Sequence, residues 1–126
     1  MRDGITFDTG ALIALERRSL RARHVVERAL ERKIRITVPA AVVVEWWRAR
    51  SDLRDAILAA VRVEPLSERV AKLAGEALAA VRGASAIDAI VMASAALRGD
   101  LVYTSDVDDL QRLTAHFRGT RVLGIG

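Results

Sequence analysis

Short apolar segments alternate with longer helical ones along the whole chain, and this alternation restricts the folds that the chain can adopt. Five segments have the length and composition of strands: residues 4–8, 34–38, 61–65, 100–104 and 121–125. Strands that are joined through helices form a parallel sheet by right-handed crossovers, with helices on both faces. The sequence therefore predicts an α/β fold with a mostly parallel sheet.

The segments between the strands have helical patterns. The predicted helices cover residues 11–18, 20–32, 40–50, 51–61, 68–81, 86–99 and 106–117. Ser67 and Ser85 precede two of them as cap-type residues. The helix over 86–99 is apolar on nearly every side, which indicates that it is buried.

Length and composition limit the domain organisation and the chemistry. A chain of 126 residues without a linker or repeat is predicted to form a single domain, residues 1–126. Cysteine is absent, which excludes disulfides, thiolate zinc sites and thiol nucleophiles. We expect a cytoplasmic protein, because the sequence has no signal-peptide pattern and no apolar run long enough to span a membrane.

The charge balance favours a polyanionic partner. The chain has 20 basic and 16 acidic residues, and all the basic ones except Lys33 and Lys72 are arginine. The planar guanidinium group suits bidentate phosphate contacts. Genomic base composition could produce the same arginine bias, so the charge raises the expectation of nucleic-acid binding without deciding it.

Carboxylates from distant parts of the sequence are predicted to meet at one edge of the sheet. They follow the first and fourth strands or lie early in helices that begin at that edge: Asp8, Glu45, Asp88 and Asp106. Sites in open α/β sheets form beyond the carboxyl ends of the strands, where the strand order reverses. The predicted fold therefore places these acids at the usual position of a functional site.

Each of these acids also has a simpler interpretation. Asp8 and Asp106 could cap helices, and "SAID" (85–88) is a capping-box pattern. Glu45 could pair with Arg48 along its helix. Taken together, however, four carboxylates within one site repel one another, by about 3 kcal/mol for a pair 5 Å apart at an effective dielectric near 20. Such a cluster requires protonation or a bound cation, and oxygen ligands favour Mg²⁺ or Mn²⁺ over zinc.

The distribution of charge supports a nuclease. With Asp109 included, five acids belong to the predicted site, which leaves 11 acidic residues against 20 basic ones elsewhere. An acidic, metal-binding pocket in a basic surface suits a polyanion that is bound through its phosphates and cut by metal-activated water.

Four motifs resemble those of the PIN-domain nucleases, specifically the VapC-type toxins of toxin–antitoxin pairs. They are "FDTGALIAL" with Asp8 and Thr9, "VVVEWWR" with Glu45, "AIDAIVMASA" with Asp88, and "YTSDVDDL" with Asp106 and Asp109. The resemblance covers essentially the whole chain. It implies a three-layer α/β/α fold with a five-stranded sheet in the order 3-2-1-4-5.

The resemblance also implies a Mg²⁺- or Mn²⁺-dependent endoribonuclease. Its catalytic acids would be Asp8, Glu45, Asp88 and Asp106, and its metal ligands Asp8, Asp88, Asp106 and Asp109. Glu45 would position the attacking water or act as its base. Thr9, Thr104 and Ser105 would support the site by hydrogen bonding. The expected partners are an RNA substrate, a VapB-type antitoxin and a second copy of the chain, with no membrane.

Trp46 and Trp47 are an unusual pair, because consecutive helical residues point about 100° apart. One is expected in the core and the other partly exposed, where it could contact a partner protein or an RNA base.

Three other functions fit parts of the sequence. A receiver-type phosphoacceptor is disfavoured, because the third strand contains no aspartate and no lysine follows Lys72. A PIN-fold enzyme of housekeeping RNA processing would share the fold and the site. A non-catalytic basic binding module would use the aspartates only as caps.

Overall fold

The computed structural model describes residues 4–125, which form a five-stranded parallel sheet between helices. The strands are β1 (Gly4–Phe7), β2 (Arg35–Pro39), β3 (Arg62–Glu64), β4 (Leu101–Thr104) and β5 (Val122–Gly124). All four neighbouring pairs are parallel, and the spatial order is β3-β2-β1-β4-β5. The predicted α/β class and strand order are confirmed.

Seven α-helices and one 3₁₀ helix connect the strands. They are α1 (Thr9–Glu16), α2 (Leu20–Glu31), α3 (Ala40–Trp46), α4 (Asp52–Ala59), α5 (Glu68–Ala80), α6 (Ala86–Arg98), α7 (Val107–Gln111) and the 3₁₀ helix Arg112–Ala115. Right-handed crossovers place α1 to α4 on one face of the sheet and α5 to α7 on the other. This order puts β1 and β4 side by side at the position where the chain reverses direction across the sheet.

Two helices are shorter than the sequence predicts. The helix predicted over 40–50 ends at Trp46, because the backbone of Trp47 turns to φ −80° and ψ 78°. The helix predicted over 106–117 begins at Val107 and tightens into the 3₁₀ helix after Gln111. Valine-rich and short polar segments have weak helical preference, so the surrounding contacts decide where such helices end.

A buried polar cluster lies between the sheet and α6. Asp100 accepts hydrogen bonds from Thr6 Oγ1 and from Arg98 Nε, both at 2.9 Å. The same guanidinium reaches Glu64 Oε2 at 2.5 Å, and Ser94 Oγ donates to Glu64 Oε1 at 2.7 Å. Burial raises the pKa of Glu64, but the hydrogen bonds from Ser94 and Arg98 outweigh burial and lower it overall. The acids of this cluster are therefore compensated by a cation and by hydroxyl groups.

Gly4 makes room for this cluster. A β-carbon at Gly4 would lie 2.1 Å from Asp100 Oδ1, so any larger residue would displace the carboxylate. The cluster thus requires glycine at the start of the central strand.

Candidate active site

Asp8 occupies the carboxyl end of β1 and is almost fully buried. One of its oxygens, Oδ1, accepts a hydrogen bond from the Ala11 amide at 2.9 Å and so caps α1. Its carboxyl group also bonds to the side chain of Thr104 at the end of β4. The net pKa of Asp8 is raised to about 6, mainly by burial and also by the negative charge of Asp88, against the lowering effect of these hydrogen bonds. The capping interpretation is therefore correct for one oxygen but leaves a perturbed carboxyl group facing other acids.

Asp88 enters the same region from the first turn of α6. Ser85 caps that helix by accepting from the Asp88 amide at 3.1 Å, as the "SAID" pattern predicts. Burial raises the pKa of Asp88, and the charges of Asp109, Glu45 and Asp106 add to the rise. Its surroundings thus contain three further carboxylates.

Glu45 lies near the end of α3, and its carboxylate accepts a short hydrogen bond from Thr9 Oγ1. The predicted pair with Arg48 is wrong, because Arg48 Nε donates to the Glu45 main-chain oxygen at 3.0 Å instead. Thr9 therefore ties the carboxylate of Glu45 to the first turn of α1, the helix that Asp8 caps.

Trp46 fixes the helix that carries Glu45. Its indole Nε1 donates to Glu16 Oε1 at 3.0 Å, and Arg54 Nη2 forms an ion pair with Glu16 Oε2 at 2.9 Å. Trp46 is only 3% exposed and is therefore the one of the two tryptophans that lies in the core. Trp47 is partly exposed and packs edge-on against Trp46 with ring centroids 6.0 Å apart, as expected for the second of the two.

Asp106 and Asp109 approach from the segment after β4. Asp106 makes no side-chain cap with α7, so its capping interpretation is wrong. Its amide donates to Thr104 Oγ1 at 2.9 Å, which holds the turn. The hydrogen bond to Asp106 and the negative charge of Asp106 raise the pKa of Asp109. Asp108, between them, is exposed and does not line the pocket.

Gly10 contributes to the site although the sequence analysis did not identify it. A β-carbon there would lie 2.2 Å from Ser105 Oγ and 3.0 Å from the Ser105 amide nitrogen. Ser105 therefore packs closely against Gly10, and this contact brings the segment that carries Asp106 close to α1. The sequence "DTG" carries the glycine, but the pattern alone does not reveal the approach of a loop 95 residues later.

These groups form one pocket with a volume of about 260 Å³. Its lining includes all five predicted acids together with hydroxyl groups and small residues: Asp8, Glu45, Asp88, Asp106, Asp109, Thr9, Thr104, Ser85, Gly10 and Leu110. The donor set consists of oxygen atoms, which suits a hard divalent cation.

The spacing of the acids bears on how a cation would bind. Within residues 4–125, no three Asp, Glu or His side chains are arranged so that they could hold an ion directly. Mg²⁺ commonly keeps several water ligands and takes one or two carboxylates directly. The donor set and its spacing therefore fit an ion that is held largely through water.

Residues 5–115 match the family described as the PIN domain. The chain belongs to the PIN-domain family. No sequence among the curated proteins matches the chain significantly.

Solved structures share the fold of this PIN domain at low sequence identity. VapBC2 from Rickettsia felis, bound to a promoter DNA fragment, has a TM-score of 0.79 and 11% identity, covering 96% of this chain and 98% of that one. DNA-bound VapBC from Salmonella typhimurium has a TM-score of 0.77 and 15% identity, covering 98% of each chain. FitAcB from Neisseria gonorrhoeae has a TM-score of 0.66 and 19% identity, covering 94% and 96%.

None of the helices that this PIN domain forms between residues 4 and 125 is long and apolar enough to cross a membrane.

Proposed function

We propose that this PIN domain, residues 1–126, is a Mg²⁺- or Mn²⁺-dependent endoribonuclease that acts as the toxin of a toxin–antitoxin pair. The observation that carries the proposal is the convergence of five carboxyl groups on one pocket beyond β1 and β4. The raised pKa values of Asp8, Asp88 and Asp109 express this crowding, since neighbouring carboxylates contribute to each rise. Perturbed acids in a pocket are typical of catalytic sites.

Asp8, Asp88, Asp106 and Asp109 are the residues that would hold the metal, directly or through water. A divalent ion bound there supplies a water of lowered pKa and positive charge beside the scissile phosphate. The protein's own part is to orient two of these acids, Asp8 through the Ala11 amide and Thr104, and Asp88 through the Ser85 cap at the start of α6. These hydrogen bonds also oppose the rise in pKa that burial causes at both acids.

Glu45 is suited to receive the proton of the attacking water. Thr9 occupies its Oε1, so Oε2 accepts the proton. The water oxygen attacks phosphorus, the bond from phosphorus to the leaving ribose oxygen breaks, and that oxygen takes a proton from solvent water. Trp46, anchored on Glu16, holds the helix that carries this base.

The toxin role rests on the structural neighbours. Three similar structures are complexes named VapBC2, VapBC and FitAcB, and a fourth is described as a toxin–antitoxin complex from Klebsiella pneumoniae. We propose that this chain likewise forms a homodimer and is held inactive by a VapB-type antitoxin in the cytoplasm. Trp47, which is partly exposed beside the site, is a candidate contact for the antitoxin or for RNA.

Cleavage of RNA tests the enzymatic part of the proposal. Purified protein with Mn²⁺ or Mg²⁺ is expected to cut single-stranded RNA, and EDTA is expected to stop it. Asp8→Asn should lower the rate at least 100-fold, whereas Asp108→Asn, in the same acidic segment but outside the pocket, should match the wild type. Undiminished cleavage by a folded Asp8→Asn protein, or in EDTA, would falsify the proposed mechanism.

Growth on expression tests the toxin part separately. Induction of the chain alone is expected to arrest growth, and co-expression with the neighbouring reading frame is expected to restore it. Asp8→Asn should not arrest growth. If the wild-type protein cleaves RNA in vitro but its induction leaves growth unchanged, the protein is a PIN nuclease with another role.

A further inference from the structure

A groove with a volume of about 380 Å³ runs between α2 and β4, outside the acidic pocket. Leu101 and Tyr103, which point from β4 into this groove, are partly exposed, whereas Val102 and Thr104 on the opposite face are buried. Val25 and Ile34 complete an apolar floor. The floor is therefore a partly uncovered strip of the central sheet.

One rim of the groove is basic. Arg21, His24, Arg28 and Arg32 all line it and are exposed. Their spacing of three, four and four residues places them on one face of α2. The rim thus presents a row of cations along about three turns of helix.

The arginines of this rim have no ion-pair partner in the part of the chain that the structure describes. Within residues 4–125, Arg21, Arg28 and Arg32 take part in no ion pair, whereas Arg50, Arg54 and Arg98 each pair with a carboxylate. A row of unpaired guanidinium groups attracts a polyanion.

A smaller hollow of about 230 Å³ has lining residues close to both the groove and the acidic pocket. Its lining includes Gly10, Arg17, Ser19 and Ser105. Gly10 lines both this hollow and the acidic pocket. Ser19 begins the turn into α2, two residues before Arg21, and Ser105 follows Tyr103 by two residues.

We propose that this groove binds the stretch of single-stranded RNA that extends from the acidic pocket, with phosphates on Arg21, Arg28 and Arg32. The inference rests on the proposed nuclease function and adds a substrate-binding site to it. An unpaired strand fits better than a duplex, because its bases are free to contact the apolar floor while its phosphates contact the rim.

Tyr103 provides a surface for one base. Its ring is held edge-on by buried Phe7, with centroids 6.2 Å apart, and it lines the groove beside the arginines. Stacking of a base on an aromatic side chain tolerates any sequence, as a general backbone-binding groove requires.

Binding is measured in the Asp8→Asn background, which keeps the RNA intact. Fluorescence anisotropy of a labelled, unstructured RNA is followed over a series of KCl concentrations. The triple variant Arg21→Gln, Arg28→Gln, Arg32→Gln is compared with a charge-matched control, Arg23→Gln, Arg69→Gln, Arg118→Gln, whose residues are exposed and lie outside the groove.

The groove variant should bind roughly 10- to 100-fold more weakly than the control. The slope of its log affinity against log salt concentration should be smaller by about two. Tyr103→Leu should weaken binding at least fivefold without changing the salt dependence. Equal affinity of the two triple variants would overturn the proposal, as would duplex RNA that binds as tightly as the single strand. If the wild-type protein cleaves RNA while one of these contrary results is obtained, the groove proposal fails and the nuclease proposal stands.

Discussion

The protein holds two groups of carboxylates next to β1, and they differ in whether the protein compensates their charge. Between the sheet and α6, Arg98 and two hydroxyl groups satisfy Asp100 and Glu64. Beyond the carboxyl ends of β1 and β4, five acids face one another without a basic residue in the pocket lining. The first group is therefore complete within the fold, whereas the second is suited to a cation from outside.

Removing the central cation of the compensated group should have the largest effect on stability. Arg98→Met removes the ion-pair partner of buried Asp100 and of partly buried Glu64, and we expect the free energy of unfolding to fall by about 3–5 kcal/mol. Urea denaturation measures the loss. Lys72→Met is the matched control, since it breaks the exposed pair with Glu68 and should cost less than about 1 kcal/mol. Similar losses in the two variants would contradict the contrast between the two groups.

Removing an acid from the uncompensated group should increase stability instead of decreasing it. A pKa raised from 3.8 to about 6 means that the stability contributed by Asp8 is full below pH 3.8 and is lost as the pH rises through about 6. Asp8→Asn avoids this loss, so at neutral pH without metal it should stabilise the protein by up to about 3 kcal/mol. The gain should vanish near pH 4, and a gain that is independent of pH would refute this explanation.

Added metal should stabilise the wild-type protein by an amount that depends on Asp8. Mn²⁺ at about 100 times its dissociation constant contributes roughly 2.7 kcal/mol, which thermal denaturation detects as a rise in Tm. The rise should disappear as the pH falls through about 6, because Asp8 takes up a proton. Asp8→Asn should show a much smaller rise than Asp108→Asn. An equal Tm rise in those two variants would place any bound metal elsewhere.

The fold could be predicted well, because the spacing of hydrophobic residues in each segment matches the strand or helix that the segment forms. Every observed strand overlaps a predicted one, and only β2 runs past its predicted range, by one residue at Pro39. The strands alternate with helices as a parallel sheet requires. The two helices that ended early were mispredicted because contacts distant in sequence decide their ends. The indole of Trp46 bonds to Glu16, 30 residues earlier, and no local pattern reveals that bond.

The acids of the pocket could be predicted because four short motifs and the strand ends identify them. The acids of the other group, Asp100 and Glu64, could not be distinguished from ordinary surface acids in the sequence. Asp100 follows a glycine at the start of a predicted strand, a pattern that indicates only a turn. Glu64 lies 34 residues from Arg98, so no local pattern pairs them. The role of Gly10 and the choice of Trp46 as the buried tryptophan could not be predicted either, since they depend on a close approach and on burial that only the folded chain shows.

The parallel strand order has a consequence for the time at which the site can form. The central strand β1 is made first, but its neighbour β4 follows only after α6, and Asp106 and Asp109 come later still. A chain that is still on the ribosome and lacks β4 has neither the Thr104 bond to Asp8 nor the turn that packs against Gly10. The acidic pocket is therefore incomplete during most of the chain's own translation.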